Sequence, residues 1–468
     1  MKIRSIHLAY LTLLIHWGPS NALSYGWGFL LLLFVLIAKP EWLRVNGHYT
    51  KSIATFTIGF IIIFFLSAFI NFAYGDSSLN NLGWSVFTYG STIASLLVIL
   101  FLPFREGDAI KLFRFNLVLT FIEVAVGYVQ MLQAQSFQSL NPYSVLGPAA
   151  GDNFVGTTFD WGIGNLVAIK MSFMAILFIP FWMTERNLKN SILLIILLVG
   201  WILPSAIYTL LLGFISIAIF FVGQELARVA SVSKMRTHIF FGLVAAILMG
   251  LIFVYTQQEN VRYTVESLKQ VYTTLRNKDI VQASRKMIYY RETLTELPAK
   301  FPRIFTVGIG PGNYSSRSAW LVSGDYLTVQ PEYISVTPSD IAKRYTIKLW
   351  GRRLISDEFK GGGSITNQPF STWLSVFAEM GLFGLIALIL IFSSIYRALS
   401  KGQVLAESEF DKNLNYGLRI MVVYVVLLFF VDNIFEWPLV MAQLFVFVSV
   451  AISKTEQVQK RLAAANGQ

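Results

Sequence analysis

The sequence predicts an all-α polytopic membrane protein of about 12 transmembrane helices with one large external helical loop domain. Three observations predict it. Only 13% of the 468 residues are charged and 55% are apolar, whereas a soluble domain carries about 25% charged residues. The apolar residues gather into runs that can cross a hydrocarbon layer as helices. Lysine and arginine gather at alternate joints between those runs, as the positive-inside rule requires. The mean hydropathy is +0.60.

In order along the chain, Lys2 and Arg4 precede a first run at 6–18. It has no small-residue cleavage site, so it reads as a retained span and not a signal peptide. Runs at 23–38, 53–73, 84–103 and 115–133 follow. The joint 134–159 has Asp152 as its one charge and is rich in Asn, Ser, Gly and Pro, the composition of an external loop. A run at 160–183 comes next, then two short ones at 190–204 and 207–223. Pro204 and Ser205 make that pair a hairpin or one bent helix. After a run at 237–256 the polar segment 257–369 interrupts the pattern, and runs at 370–396, 418–436 and 439–453 close it. The domains are therefore spans 1–9 within 1–256, a loop domain over 257–369, spans 10–12 within 370–453, and a tail over 454–468. With the N-terminus in the cytoplasm, cytoplasmic segments carry 20 lysines and arginines and the short joints opposite carry none. Both termini are then cytoplasmic and 257–369 lies outside.

Several function classes are excluded by composition. The chain has no cysteine, so thiolate metal sites and disulfides are unavailable. The net charge of +11 sits at the ends of apolar runs, which is a topology signal and not a nucleic-acid surface. His7, His16, His48 and His238 are scattered, and neither an Asp-x-Asp nor a Walker motif occurs. No metal and no cofactor are expected.

The polar segment holds 16 basic and 10 acidic residues, and it centres on GIGPGNY, Gly308 to Tyr314. Alternate glycines let backbone approach a ligand closely, although a plain surface turn has the same composition. Arginine suits bidentate phosphate recognition, so the nine arginines of the segment point to a lipid-linked phosphate or diphosphate. A solvated basic face against anionic lipid is the plainer alternative. A helix is expected over 280–297, ended by Pro298, and another over 262–278. The GGGS run at 361–364 reads as a hinge. Glu123 and Lys170 lie inside apolar runs, where a structural ion pair is favoured over a proton pathway. Asp432 and Glu436, four apart, are expected on one helix face towards the external side, where a carboxylate could serve as a general base. Asp160 is a third carboxylate at that level.

These motifs, SRKMIYYRETLTELPAKFPRIFTVGIGPGNY, FSTWLSVFAEMGLFG with Glu379, Gly381 and Gly384, and the upstream VGTTFDWGIGNLVA, resemble the O-antigen polymerase and ligase superfamily. The resemblance covers roughly residues 115–455. It implies a GT-C-like, lipid-dependent, metal-independent glycosyltransferase of the bacterial inner membrane with its active site facing the periplasm. The substrates it implies are a polyprenyl-diphosphate-linked oligosaccharide donor and a lipid-linked acceptor, with membrane lipids and a chain-length regulator as partners. By family position Arg285 is the functional arginine of the large loop. Arg291, Arg303, Gly308, Gly310, Gly312, Asn313, Tyr314, Arg317, Asn165 and Glu379 become substrate contacts. Glu436, Asp432 and Asp160 become candidate bases. Phe370 stands nine residues before Glu379, where ligases of the family carry a histidine, which points to a polymerase. The ligase and a transporter or flippase of lipid-linked sugars are the competing readings.

Overall fold

The computed structural model describes residues 4–18, 22–38, 47–134, 154–158, 164–204, 206–227, 285–323, 335–350 and 370–465. The predicted apolar runs within those residues are helices, and no strand forms among them. The first set is α1 (Ser5–Trp17), α2 (Ala22–Ala38), α3 (His48–Ala73), α4 (Leu79–Leu100) and α5 (Asp108–Ala134). Then come α6 (Gly164–Thr184), α7 (Leu188–Ile202) and α8 (Ile207–Ala227). The polar segment contributes α9 (Arg285–Arg291) and α10 (Arg317–Leu321), and the chain finishes with α11 (Thr372–Val404), α12 (Glu409–Val431) and α13 (Pro438–Ala465). Seven of the helices are long and apolar enough to cross a membrane, namely α3, α4, α5, α6, α11, α12 and α13. The apolar helices α1, α2, α7 and α8 are shorter. The run 237–256, the expected helix 262–278, the GGGS hinge and Asp160 lie outside the described residues.

The bundle is organised around α13, whose apolar window is 89% buried. It packs against α1, α2, α4, α11 and α12. A second contact layer is formed by α11 on α3 and α12, by α12 on α6 and α8, and by α6 on α7. Ile62, Phe65 and Phe69 on α3, and Ile192 and Ile195 on α7, turn large apolar side chains outward. Outward apolar faces are what a helical membrane protein presents to lipid.

Three local expectations need correcting. The helix over 280–297 does not stop at Pro298: α9 continues through a π turn, Glu292–Glu296, and a last turn, Leu297–Lys300. Proline has no N–H to return to the preceding turn, and the wider turn before it absorbs that loss. Asp432 and Glu436 do not share a helix face. α12 ends at Val431, Asp432 is extended at φ −149° and ψ 161°, and Glu436 closes a separate 3-10 turn, Ile434–Glu436. Glu123 and Lys170 do not form a direct ion pair, since their charged atoms lie more than 4.0 Å apart.

Candidate functional site

The glycine turn and the α11 glycines form one lock. α11 is broken at Gly381, which has φ 72° and ψ −171°. The backbone of the turn fills the break: Ile309 N–H donates to the Ala378 carbonyl at 2.9 Å and Gly310 N–H to the Glu379 carbonyl at 3.0 Å. A Cβ on Gly308 would lie 2.4 Å from the Glu379 carbonyl, and one on Gly381 would lie 2.2 Å from the Thr306 carbonyl. Both glycines also have positive φ, so sterics and dihedral exclude a side chain twice over. Gly381→Ala should therefore separate the turn from α11, read as a fall in melting temperature in detergent and faster proteolysis within 302–323. An unchanged melting temperature would show that the break does not need glycine.

The Glu379 carboxylate is wholly engaged by this turn. Oε2 accepts from Gly312 N–H at 2.9 Å, while Oε1 accepts from Tyr314, Ser315 and Ser316 N–H at 3.0, 3.1 and 3.0 Å. The concave row of N–H groups that could cradle a phosphate thus holds a carboxylate of the same chain. Asn71 on α3 donates to the Gly308 carbonyl at 3.2 Å, and Asn81 on α4 to the Gly312 carbonyl at 3.2 Å. Asn313 donates to Ser77 at 3.0 Å and to the Ile309 carbonyl at 2.9 Å. The Tyr314 hydroxyl pairs with that of Thr293 at 2.6 Å. Gly308, Gly310, Gly312, Asn313, Tyr314 and Glu379 therefore anchor the polar segment onto α3, α4 and α11.

That anchoring delivers Arg317 to the ends of α12 and α13. Arg317 is 3% exposed. Its Nη2 donates to Asp432 Oδ1 at 2.9 Å and its Nε to the Asn433 carbonyl at 2.9 Å. Its backbone N–H donates to Glu436 Oε2 at 2.8 Å. The guanidinium carbon stands 3.7 Å from the Trp437 ring centroid and 5.8 Å from that of Phe370. Glu436 Oε2 also accepts from Thr88 of α4 at 3.2 Å, while Oε1 is buried without a well-formed hydrogen bond among the described residues and the buried Tyr89 hydroxyl faces the carboxylate. Lys286 of α9 reaches the Val431 carbonyl at the end of α12.

Burial sets the charge states here. It pushes the Glu436 carboxyl up to about 8, helped by the Glu379 charge and opposed by Arg317 and its N–H. It pulls the Lys286 amine down to about 7, against the nearby Asp432. Two groups of opposite type are thus poised near neutrality, beside a guanidinium that keeps its charge. Such a constellation can accept a proton from a hydroxyl and offer positive charge to a developing anion.

The other sequence candidates are spread out. Arg285 opens α9 and is half-buried, one residue from Lys286. Arg291 is exposed and lies 3.7 Å from Glu296. Arg303 pairs with Asp76 after α3 and stacks 5.1 Å from the Tyr74 ring centroid. Asn165 sits in the first turn of α6, half-buried. Lys286, Asn433 and Trp437 are additional members of the cluster. Lys286 shares the inward face of α9 with Tyr289, three residues on, and that spacing is the signal the sequence holds for it. No protein-family model matches the chain, and no curated protein matches it.

Proposed function

We propose that the protein is a polysaccharide polymerase that transfers a glycan from a polyprenyl-diphosphate donor to a hydroxyl of a second lipid-linked repeat unit. The convergence of Arg317, Asp432, Glu436 and Lys286 where the polar segment meets the helix ends carries this reading. The C1–O bond to the diphosphate breaks as C1 bonds the acceptor oxygen, and polyprenyl diphosphate leaves. The acceptor proton passes to Glu436, whose Oε1 closes no well-formed hydrogen bond among the described residues. Arg285 and Lys286 stand beside the cluster to stabilise the departing negative charge. Of the sequence-level candidates, Asp432 is less suited to the base role because Arg317 holds it. Phe370 lies against Arg317 where a ligase would carry histidine, and a phenyl ring cannot take a proton. The fold class this reading implies is GT-C-like with 12 spans, the external side periplasmic.

The pH dependence tests the proton assignment. As a base Glu436 must be ionised and as a cation Lys286 must keep its proton, so the rate should be bell-shaped in pH, highest between about pH 7 and 8 and falling on either side. Stability moves the other way. Between about 4.5 and 8 the folded chain holds a proton on Glu436 that the unfolded chain gives up, so stability falls as pH rises there. Between about 7 and 10.5 the folded chain lacks a proton on Lys286 that the unfolded chain keeps, so stability rises with pH there. Stability should therefore pass through a minimum between about pH 7 and 8. Glu436→Gln should remove both the acid-side fall and the polymerisation. A Glu436→Gln enzyme with a wild-type pH–rate profile would reject Glu436 as the base.

A further inference from the structure

A second polar cluster lies between α1, α5, α6 and α13, inside the apolar bundle. Glu123 of α5 and Lys170 of α6 are 2% and 0% exposed. Glu123 holds the short loop 154–158 instead of pairing directly with Lys170. Its Oε2 accepts from Thr157 N–H at 2.8 Å, and its Oε1 meets the Thr157 hydroxyl. The same hydroxyl reaches the Trp17 carbonyl at the end of α1. Gln130 grips the loop as well, donating to the Gly156 carbonyl and accepting from Gly156 N–H, each at 2.8 Å. A Cβ on Gly156 would stand 2.1 Å from Glu123 Oε2, so only glycine permits this approach.

Counting hydrogens constrains the cluster. Thr157 has one hydroxyl hydrogen, and the Trp17 carbonyl has none. When that hydrogen points to Trp17, the contact with Glu123 Oε1 requires a hydrogen on the carboxyl. When it points to Glu123, the Trp17 carbonyl loses its donor. On the far side, Lys170 Nζ is buried without a hydrogen-bond partner among the described residues, and the His16 ring and the Gln443 amide face each other without closing a well-formed hydrogen bond. His16 Nδ1 faces the Leu439 carbonyl and so carries the ring hydrogen, which leaves Nε2 as an acceptor in the neutral ring. Trp17 connects the two sides, with its ring 5.9 Å from Lys170 Nζ and 4.9 Å from the His16 ring. Water, which both donates and accepts, is a group that could serve a donor, an acceptor and an amide together.

We propose that Glu123, Lys170, His16 and Gln443 form a buried, water-bridged proton-exchange site that ties the loop 154–158 to α1. One proton moves from the Glu123 carboxyl to the Lys170 amine, giving carboxylate and ammonium, and no other reactant is consumed. In the neutral form Glu123 donates to Thr157, and Thr157 donates to the Trp17 carbonyl. In the ionic form the hydroxyl turns to the carboxylate and the Trp17 tie is released. The titratable groups facing the site among the described residues are His16 from α1, Glu123 from α5 and Lys170 from α6, while α13 contributes the neutral Gln443. This site is independent of the transferase reading.

The test is infrared difference spectroscopy of the full chain in lipid nanodiscs across pH, with Glu436→Gln used to subtract that carboxyl. A protonated-carboxyl band that disappears in Glu123→Gln and changes its pH response in Lys170→Met is expected. A carboxylate signal from Glu123 at every pH, or a Glu123 band indifferent to Lys170→Met, would overturn the proposal. Where Glu123→Gln fails to fold, hydrogen exchange decides. Lys170→Met removes the proton acceptor and should slow exchange across 154–158, and unchanged exchange would overturn the proposal.

Discussion

Replacing Glu379 with alanine is expected to loosen the glycine turn from α11. Four buried backbone N–H groups share this one carboxylate. Leaving a buried donor unmet costs about 1–3 kcal/mol each, so the loss should be on the order of 4 kcal/mol or more. Glu379→Gln separates charge from geometry. Its carbonyl can still serve Tyr314, Ser315 and Ser316, but its amide hydrogens would confront Gly312 N–H. The glutamine variant should therefore melt between alanine and wild type. Thermal unfolding in detergent, followed with proteolysis at 302–323, reads both. Equal melting temperatures for all three proteins would show that the carboxylate does not hold the turn.

Arg317→Ala is the second large effect. It leaves Asp432 buried without its cation, while the backbone N–H of residue 317 still reaches Glu436, and removing one partner of a buried ion pair costs about 3–5 kcal/mol. Polymer formation should fall by about 10²–10³-fold, the scale seen when one electrostatic stabiliser is lost. Stability and chemistry can be separated by Arg317→Met combined with Asp432→Asn. That pair removes both charges and keeps similar volumes, so much of the stability should return while polymerisation stays lost. Recovery of activity together with stability would assign Arg317 a purely structural role.

The helices were legible because each is a long apolar run with charges at its ends, and a lipid-facing helix needs little else. Their ends were less so. The extended Asp432 after α12 depends on Arg317, which is 115 residues away in sequence, and no local pattern contains that. The glycine turn was found as a motif, but its occupant was not. Glu379 lies 67 residues from Gly312, and each motif alone resembles a ligand-binding turn. The sequence marks Asp432 and Glu436 as candidate bases and Arg317 as a substrate contact, yet only the fold joins them. Glu123 and Lys170 were recognised as costly buried charges, and the direct pair expected between them gave way to the loop because Gly156 lets backbone come closer than lysine does.

The most direct test is reconstitution of the purified full chain with polyprenyl-diphosphate-linked repeat units in proteoliposomes containing EDTA. The reading rests on Arg285 and the Arg317 cluster supplying the positive charge that other transferases take from a metal. Wild type should then lengthen the glycan on its carrier in EDTA, seen as a ladder on a polysaccharide gel, and Arg285→Ala should give single repeat units although it inserts and melts like wild type. Repeat units that cross the membrane without lengthening, or a ladder of wild-type length from Arg285→Ala, would contradict it.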